Sequence, residues 1–159
     1  MNAIIKWGIL GTGRISRAFA EGLRFASNGI LQGVASRDHT RSKAYAEEWN
    51  VPLAFENYQQ MAESELIDAV YVATPHTQHA ENSILCMKNG KAVLCEKPFA
   101  VNSLQANEMV AQASASNVLL MEGMWSRFPP LMKELRKALS SGEIGEVRTL
   151  QADFGFKPK

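Results

Sequence analysis

A glycine-rich turn near the N-terminus is the first segment whose residue types and spacing point to chemistry. Residues 11–16 read Gly-Thr-Gly-Arg-Ile-Ser and fit the pattern G-x-G-x-x-G, with serine in place of the last small residue. The first glycine permits a tight turn, and the second lets the backbone approach a pyrophosphate at a helix N-terminus. A plain strand-to-helix turn remains the alternative, but the position inside a strand–turn–helix pattern favours a dinucleotide site. Its predicted cofactor contacts are Gly11, Thr12, Gly13, Arg14 and Ile15.

The end of the next strand-like segment bears on which dinucleotide such a site would accept. A site that prefers NAD usually places an acidic residue there, on the ribose 2′-hydroxyl. Here the segment ends in Ser36 and Arg37. A hydroxyl and a guanidinium suit a 2′-phosphate, because arginine offers a fork of charged donors. Asp38 comes one place later and is better placed to cap the following helix. The sequence therefore favours NADP over NAD, with a solvated surface charge as the alternative for Arg37.

The elements that must position these residues alternate between strands and helices. Apolar runs predict strands at 3–10, 30–35, 67–73, 92–95 and 118–121, with a short extended piece at Phe55. Helical periodicity and capping residues predict helices at 15–26, 40–49, 57–62, 76–89 and 103–115, with Asn57 and Ser103 as caps. Strands separated by helices of this length imply right-handed crossovers and a parallel sheet. The predicted fold class is α/β, a Rossmann-type doubly wound parallel sheet.

The alternation of strands and helices stops near Phe128. Pro129-Pro130 opens a predicted helix that ends near Ser141, with Gly142 after it, and residues 147–156 alternate towards a final strand. We therefore predict a dinucleotide-binding domain at 1–123. Residues 124–159 are predicted to be the start of a second, α+β domain.

Composition argues against several classes of protein. The 17 basic and 16 acidic residues give a net charge of +1, which does not indicate nucleic acid or an anionic membrane as a partner. No apolar run approaches the length of a membrane span, and the N-terminal run lacks the features of a signal peptide. Cys86 and Cys95 lack metal-ligand spacing and are interpreted as reduced core thiols. We therefore expect a cytoplasmic protein without a metal site.

Three further motifs follow predicted strands at their carboxyl ends, where an open α/β sheet binds ligands. They are Ala73-Thr74-Pro75-His76 with His79, Cys95-Glu96-Lys97-Pro98, and Glu122-Gly123-Met124-Trp125-Ser126-Arg127-Phe128. With the start GILGTGRIS, they make the whole chain resemble the Gfo/Idh/MocA oxidoreductase family. Within that family it is most similar to the branch of dihydrodiol dehydrogenases and D-xylose dehydrogenases.

The resemblance implies a catalytic role for Lys97. The matching lysine of the family takes part in catalysis and in positioning the substrate. Near a nicotinamide, a lysine can hydrogen-bond the substrate hydroxyl and stabilise its developing negative charge. Glu96 matches a residue that contacts the nicotinamide ribose, and the family often has a cis bond before the proline at Pro98. Without the resemblance, Glu96 and Lys97 would be interpreted as a solvated pair on a loop.

The resemblance also implies further cofactor contacts in two of the motifs. Thr74 and Pro75 would line the ribose and nicotinamide, and His79 would support the cofactor loop. Trp125 and Arg127 would border the cofactor. Surface capping remains open for His79, strand termination for Pro75, and packing at a domain interface for Trp125.

Members of the family are about twice as long as this chain. Their second domain supplies the partner acid/base, a His or a Tyr, most of the substrate pocket and usually the subunit interface. The resemblance thus implies the cofactor-binding part of an NADP-dependent oxidoreductase acting on a sugar or cyclic diol, with a homo-oligomeric full-length form. We expect this chain alone to bind the cofactor and to turn over poorly. A non-catalytic dinucleotide-binding module or sensor is the alternative, favoured by the missing second domain and disfavoured by Lys97.

Overall fold

A computed structural model of the chain describes residues 3–155. The chain divides into two compact units, Met1–Gly123 and Met124–Lys159.

The first unit is built on a six-stranded sheet. The strands are β1 (Ile5–Leu10), β2 (Gly29–Ala35), β3 (Leu53–Phe55), β4 (Ala69–Val72), β5 (Ala92–Cys95) and β6 (Leu120–Glu122). They lie in the order β3-β2-β1-β4-β5-β6, and every neighbouring pair is parallel. All four residues of β4 are buried, as its continuous apolar run predicted. The predicted Rossmann-type sheet is confirmed, and its strand order reverses between β1 and β4, where such sheets bind ligands.

Five helices follow the strands of this unit. They are α1 (Arg14–Leu23), α2 (His39–Trp49), α3 (Tyr58–Glu63), α4 (His79–Lys88) and α5 (Ser103–Ser116), with a short 3₁₀ turn at His76–Gln78 before α4. The predicted cap Asn57 is confirmed, because its side chain accepts from the backbone N–H of Gln60. The predicted cap Ser103 is wrong. Asn102 caps α5 by accepting from the N–H of Gln105, and Ser103 is the first helical residue.

Helices cover both faces of the sheet. One core cluster contains Met61, Met87 and Met109 from α3, α4 and α5, packed with Val70 and other strand residues. The second contains Ala20 and Tyr45 from α1 and α2, with Ile9, Val34 and Tyr71 from the strands. Successive residues of β4 enter opposite clusters, because side chains alternate along a strand. The sheet is therefore doubly wound.

The inward face of α1 differs from the predicted one. The apolar or small residues at 15, 18, 19, 22, 23 and 26 recur at helical spacing and predict Ile15 and Ala18 on the inward face. Ile15 is instead 45% exposed, whereas Ser16 and Ala20 are buried. Ser16 tolerates burial because its hydroxyl donates to the carbonyl oxygen of Gly13 at 2.7 Å. The inward stripe is thus shifted by about one residue, and the helix ends at Leu23 rather than near residue 26.

The second unit contains a 3₁₀ turn at Trp125–Arg127 and the helix α6 (Pro130–Ser141). Gly142 follows α6 in the left-handed region with φ of 76°, as the helix–glycine pattern predicted. The final strand predicted at 147–156 is wrong over residues 147–155, which lie in no strand. A strand needs a partner for its backbone hydrogen bonds, and the described part of this unit contains no other strand. Phe156 lies outside the described residues.

Within residues 3–155, no helix is both long enough and apolar enough to cross a membrane.

Candidate functional site

A cleft of about 230 Å³ lies at the carboxyl ends of β1, β2 and β4. The turns after these three strands line it, together with residues from α2 and α3. Its lining residues are Gly11, Thr12, Gly13, Ser36, Arg37, Arg41, Tyr58, Ala73, Thr74 and Pro75. Seven of the predicted cofactor contacts, from three separate segments, therefore meet in one cleft. Arg14 and Ile15 lie on the first turn of α1 with exposed side chains and do not line it.

The two glycines of the turn after β1 serve different needs. Gly11 has φ of +98°, and a Cβ atom there would lie 2.6 Å from the carbonyl oxygen of Ala73. The fold itself therefore requires glycine at Gly11. Gly13 has an ordinary φ of −79°, and a Cβ atom there would meet no atom within 4 Å. The protein's own packing gives no reason for glycine at Gly13, so the open space beside the N-terminus of α1 is available to a ligand.

The turn after β2 brings a hydroxyl to the cleft. Ser36 is 5% exposed, and its hydroxyl oxygen accepts from the backbone N–H of Asp38 at 3.3 Å. Its hydroxyl hydrogen remains available to a ligand. Asp38 accepts from the N–H of Thr40 at 2.9 Å and caps α2, as predicted.

Two residues of this part of the cleft were missed by sequence reasoning. Arg41 follows Arg37 by four residues. This spacing could have indicated that both side chains lie on the same side of the N-terminus of α2. Tyr58 comes from the start of α3, and nothing in its local sequence indicates this location. Burial raises the pKa of the Tyr58 phenol, and the nearby Arg37 and Arg41 act in the opposite direction. This end of the cleft therefore combines two cations with a protonated phenol.

The loop after β4 is held by His79. This residue is 2% exposed, with Nε2 lying 3.0 Å from the carbonyl oxygen of Thr74 and Nδ1 lying 2.8 Å from that of Pro98. Asn82, missed by sequence reasoning, donates from Nδ2 to the Thr74 hydroxyl at 3.1 Å. The alternative of surface capping is wrong for His79, because this side chain is buried. His76 is exposed, whereas His79 joins the loops after β4 and β5.

The loop after β5 carries Glu96 and Lys97. Tyr71 on β4 donates its hydroxyl to Oε1 of Glu96 at 2.6 Å, and the backbone N–H of Lys97 donates to Oε2 at 3.0 Å. Burial and the Glu96 carboxylate raise the pKa of Tyr71, which keeps its phenol protonated as a donor. The side chain of Lys97 is exposed, and the Lys97–Pro98 bond is cis, as the resemblance implies. Glu96 is thus an ordered acceptor rather than a solvated charge.

Tyr71 is a further residue that sequence reasoning missed. It lies inside an apolar strand, and its ring stacks on Phe19 of α1 with ring centroids 4.0 Å apart. An aromatic residue in a buried strand reads as core, so no local signal reveals that its hydroxyl reaches the loop after β5.

Trp125 and Arg127 belong to the 3₁₀ turn that opens the second unit. Both side chains are exposed within that unit, and the carbonyl oxygen of Arg127 accepts from Nη2 of Arg136 at 2.8 Å. Their predicted contacts with a cofactor stay predictions.

The cysteines and acidic residues that the structure describes form no metal-binding group. No cluster of three or more His, Cys, Asp or Glu side chains within residues 3–155 is arranged to hold a metal ion. Cys86 and Cys95 are free and buried. Burial raises the pKa of both thiols to about 12, so they remain protonated core side chains at neutral pH.

Comparisons with known proteins agree with this geometry. Residues 5–124 match the family model described as an oxidoreductase family with an NAD-binding Rossmann fold. The chain is 42% identical to the trans-1,2-dihydrobenzene-1,2-diol dehydrogenase of Mus musculus over 154 residues, which are 96% of this chain and 46% of that protein. It therefore spans about half the length of the curated relatives it matches.

Solved structures show the same fold. An NAD-binding oxidoreductase from Klebsiella pneumoniae superimposes with a TM-score of 0.86 at 25% identity, covering 91% of this chain and 41% of that one. A 3-ketoreductase from Actinomadura kijaniata, solved with TDP-benzene and NADP, gives a TM-score of 0.82 at 30% identity, covering 91% and 46%. The glycine turn, the ends of β2, β4 and β5, and these matches lead to one conclusion: the chain belongs to the Gfo/Idh/MocA oxidoreductase family, through its NAD-binding Rossmann domain.

Proposed function

We propose that the chain binds NADP in the cleft at the ends of β1, β2 and β4, as the cofactor-binding part of a dehydrogenase acting on a sugar or cyclic diol. The observation that carries this proposal is the open space at Gly13. Its φ does not require glycine, and no protein atom fills the place of a Cβ atom. A missing side chain in front of a helix N-terminus suits the close approach of a pyrophosphate.

The preference for NADP rests on the far end of the same cleft. Ser36, Arg37, Arg41 and Tyr58 line it together. Two guanidinium groups and two hydroxyls supply charged and neutral donors for a 2′-phosphate, whereas a ribose 2′-hydroxyl would gain little from two cations. One solved relative is an NAD-binding oxidoreductase and another holds NADP, so the shared fold accepts either dinucleotide and the preference rests on these side chains.

Titration of the chain with NADPH and NADH tests this preference. We expect the chain to bind NADPH more tightly than NADH. The substitution Arg37→Ala should lower the affinity for NADPH by about tenfold, because one charged contact is lost. Binding of NADH should stay nearly unchanged. Lys43→Ala, which removes an exposed charge from α2 outside the cleft, is the matched control and should affect neither ligand. Equal affinity of the original chain for NADH and NADPH would refute the role given to Ser36 and Arg37.

Lys97 is proposed as the catalytic residue of the dehydrogenase. When bound, the oxidised cofactor would supply the hydride acceptor. Lys97 would hydrogen-bond the substrate hydroxyl and stabilise the negative charge that develops on its oxygen. Glu96, fixed by Tyr71, would hold the nicotinamide ribose beside it.

A crystal structure with NADP and a bound diol tests this assignment. We expect Nζ of Lys97 within about 3.2 Å of the hydroxyl oxygen that faces the nicotinamide. An ammonium group directed into solvent, with the hydroxyl bound by another side chain, would exclude the catalytic role. The same structure would show whether Thr74, Pro75, His79, Trp125 and Arg127 border the cofactor.

A non-catalytic dinucleotide-binding module is the second candidate function. It is favoured by a cleft whose lining residues all belong to the first unit. NADP-dependent oxidation of trans-1,2-dihydrobenzene-1,2-diol or D-xylose by the gene product, as the organism makes it, would support the dehydrogenase. Tight NADPH binding without turnover would support the module. For the dehydrogenase we further expect a cytoplasmic location and a homo-oligomer.

A further inference from the structure

Arg17 connects the glycine turn to the two helices that flank it. This residue lies on α1, and its Nη1 donates to the carbonyl oxygens of Thr12 at 3.1 Å and Gly13 at 3.4 Å. Its Nε and Nη2 donate to the two carboxylate oxygens of Glu48 on α2, at 3.0 and 2.7 Å. The guanidinium carbon also lies 5.3 Å from the ring centroid of Tyr45. One side chain therefore contacts the turn, α1 and α2 at once.

These contacts help to fix the orientation of two peptide groups, and the Ser16 hydroxyl, which donates to the Gly13 carbonyl at 2.7 Å, acts together with Arg17 on the second of them. In a trans peptide the C=O and the N–H of the following residue point in opposite directions. The carbonyl of Thr12 shares its peptide plane with the N–H of Gly13, and the carbonyl of Gly13 shares its plane with the N–H of Arg14. Because Arg17 draws both carbonyls to its own side, it turns both N–H groups away from itself. Those two N–H groups are the ones a pyrophosphate would meet at the N-terminus of α1.

Glu48 determines where the guanidinium lies. A carboxylate that accepts two parallel N–H bonds fixes the plane of an arginine more firmly than a single contact does. The hydrogen bond from Arg17 holds the pKa of the Glu48 carboxyl below its usual value, so the pair stays charged at neutral pH. Both side chains are partly exposed, at 42% and 47%, so the pair contributes little to global stability.

We infer that Arg17 is a positioning residue for dinucleotide binding, and that Glu48 orients it. Arg17 holds the peptide groups of the glycine turn with their N–H donors already directed at the pyrophosphate. Nothing then has to be reoriented when the ligand arrives, and the free energy of binding is correspondingly more favourable. The inference rests on the proposed function, because it assumes that a dinucleotide binds at this turn.

Glu48→Ala separates positioning from simple charge. Removing a carboxylate makes the surroundings of the turn more positive, so a purely coulombic role would tighten NADPH. A positioning role predicts about fivefold weaker NADPH binding. This factor is at the lower end of the range found when a ligand is coupled to a group that it does not touch. The matched control is Glu47→Ala, which removes the same charge from the neighbouring exposed position of α2 and should not weaken NADPH.

A second ligand distinguishes positioning from loss of structure. Adenosine 2′-monophosphate carries the 2′-phosphate but no pyrophosphate, and its binding can be followed by NMR titration. We expect Glu48→Ala and Arg17→Met to weaken NADPH while leaving this nucleotide unchanged, and Arg17→Lys to give an intermediate loss. Parallel weakening of both ligands would mean that the substitutions distort the cleft, and would overturn the inference.

The remaining outcomes separate the inference from the proposal on which it rests. If the original chain binds neither NADPH nor the nucleotide, both the proposed function and the inference fail. If it binds NADPH and Glu48→Ala binds it as tightly or more tightly, the inference alone is wrong.

Discussion

Replacing Gly11 with alanine is expected to destabilise the chain by about 3 kcal/mol or more and to remove dinucleotide binding with it. A residue with a Cβ atom pays about 1–2 kcal/mol for a positive φ, and φ at Gly11 is +98°. The Cβ atom would also lie 2.6 Å from the oxygen and 2.9 Å from the carbon of the Ala73 carbonyl. These are backbone atoms at the end of β4, so relief requires β1 and β4 to separate.

The measurement is urea unfolding followed by circular dichroism, with NADPH titration of the folded protein. Gly13→Ala is the matched control, since its φ of −79° suits alanine and its Cβ atom would meet nothing within 4 Å. We expect this variant to unfold at the same urea concentration or slightly higher, because alanine restricts the unfolded chain. Its NADPH binding should nevertheless fall by about tenfold, since the methyl group occupies the space a pyrophosphate would enter. Unchanged stability of Gly11→Ala would contradict the structural requirement, and unchanged binding by Gly13→Ala would contradict the pyrophosphate position.

The two glycines illustrate what the sequence alone predicts at this site. The pattern of residues 11–16 depends on local backbone geometry, so the turn could be predicted from a single segment. The same holds for Asp38 and Asn57, whose caps depend on residues two and three positions away. The parallel sheet was also predictable, because buried strands such as β4 carry a continuous apolar run.

Residues that act across the sheet could not be predicted in this way. Tyr58 reaches the cleft from α3, and the hydroxyl of Tyr71 reaches Glu96, 25 positions later in the chain. Their own neighbours in sequence do not reveal these partners, since the contacts exist only after β1, β2, β4 and β5 are assembled. Ser16 occupies the place of the last small residue of the motif, and its burial is possible because its hydroxyl donates to the Gly13 carbonyl. The prediction of a strand at 147–156 was wrong for a related reason. Alternating apolar and polar residues indicate a segment that can pair as a strand, but they do not supply the neighbouring strand with which it would pair.

Replacing His79 with leucine is the second substitution for which we expect a large effect. Leucine is apolar and fills much of the volume, but it leaves the carbonyl oxygens of Thr74 and Pro98 without their donor. Both ring nitrogens of His79 lie within hydrogen-bond distance of these carbonyls, and at least one of them carries a hydrogen, so at least one buried hydrogen bond is lost. The expected loss is about 2–4 kcal/mol in the free energy of unfolding, made of the bond itself and the desolvated group left behind.

His76 provides the matched control for this substitution. It lies three residues earlier, in the 3₁₀ turn before α4, and is exposed, so His76→Leu should change the free energy of unfolding by less than about 0.5 kcal/mol. His79→Gln retains an amide donor and should recover part of the loss.

NADPH binding should weaken in His79→Leu, because the freed loops carry Thr74 and Pro75 on one side and Glu96 and Lys97 on the other. If His79→Leu and His76→Leu unfold at the same urea concentration, the contacts of His79 with the carbonyl oxygens of Thr74 and Pro98 do not stabilise the two loops. The positions of Glu96 and Thr74 would then rest on the hydrogen bonds that Tyr71 and Asn82 donate to them.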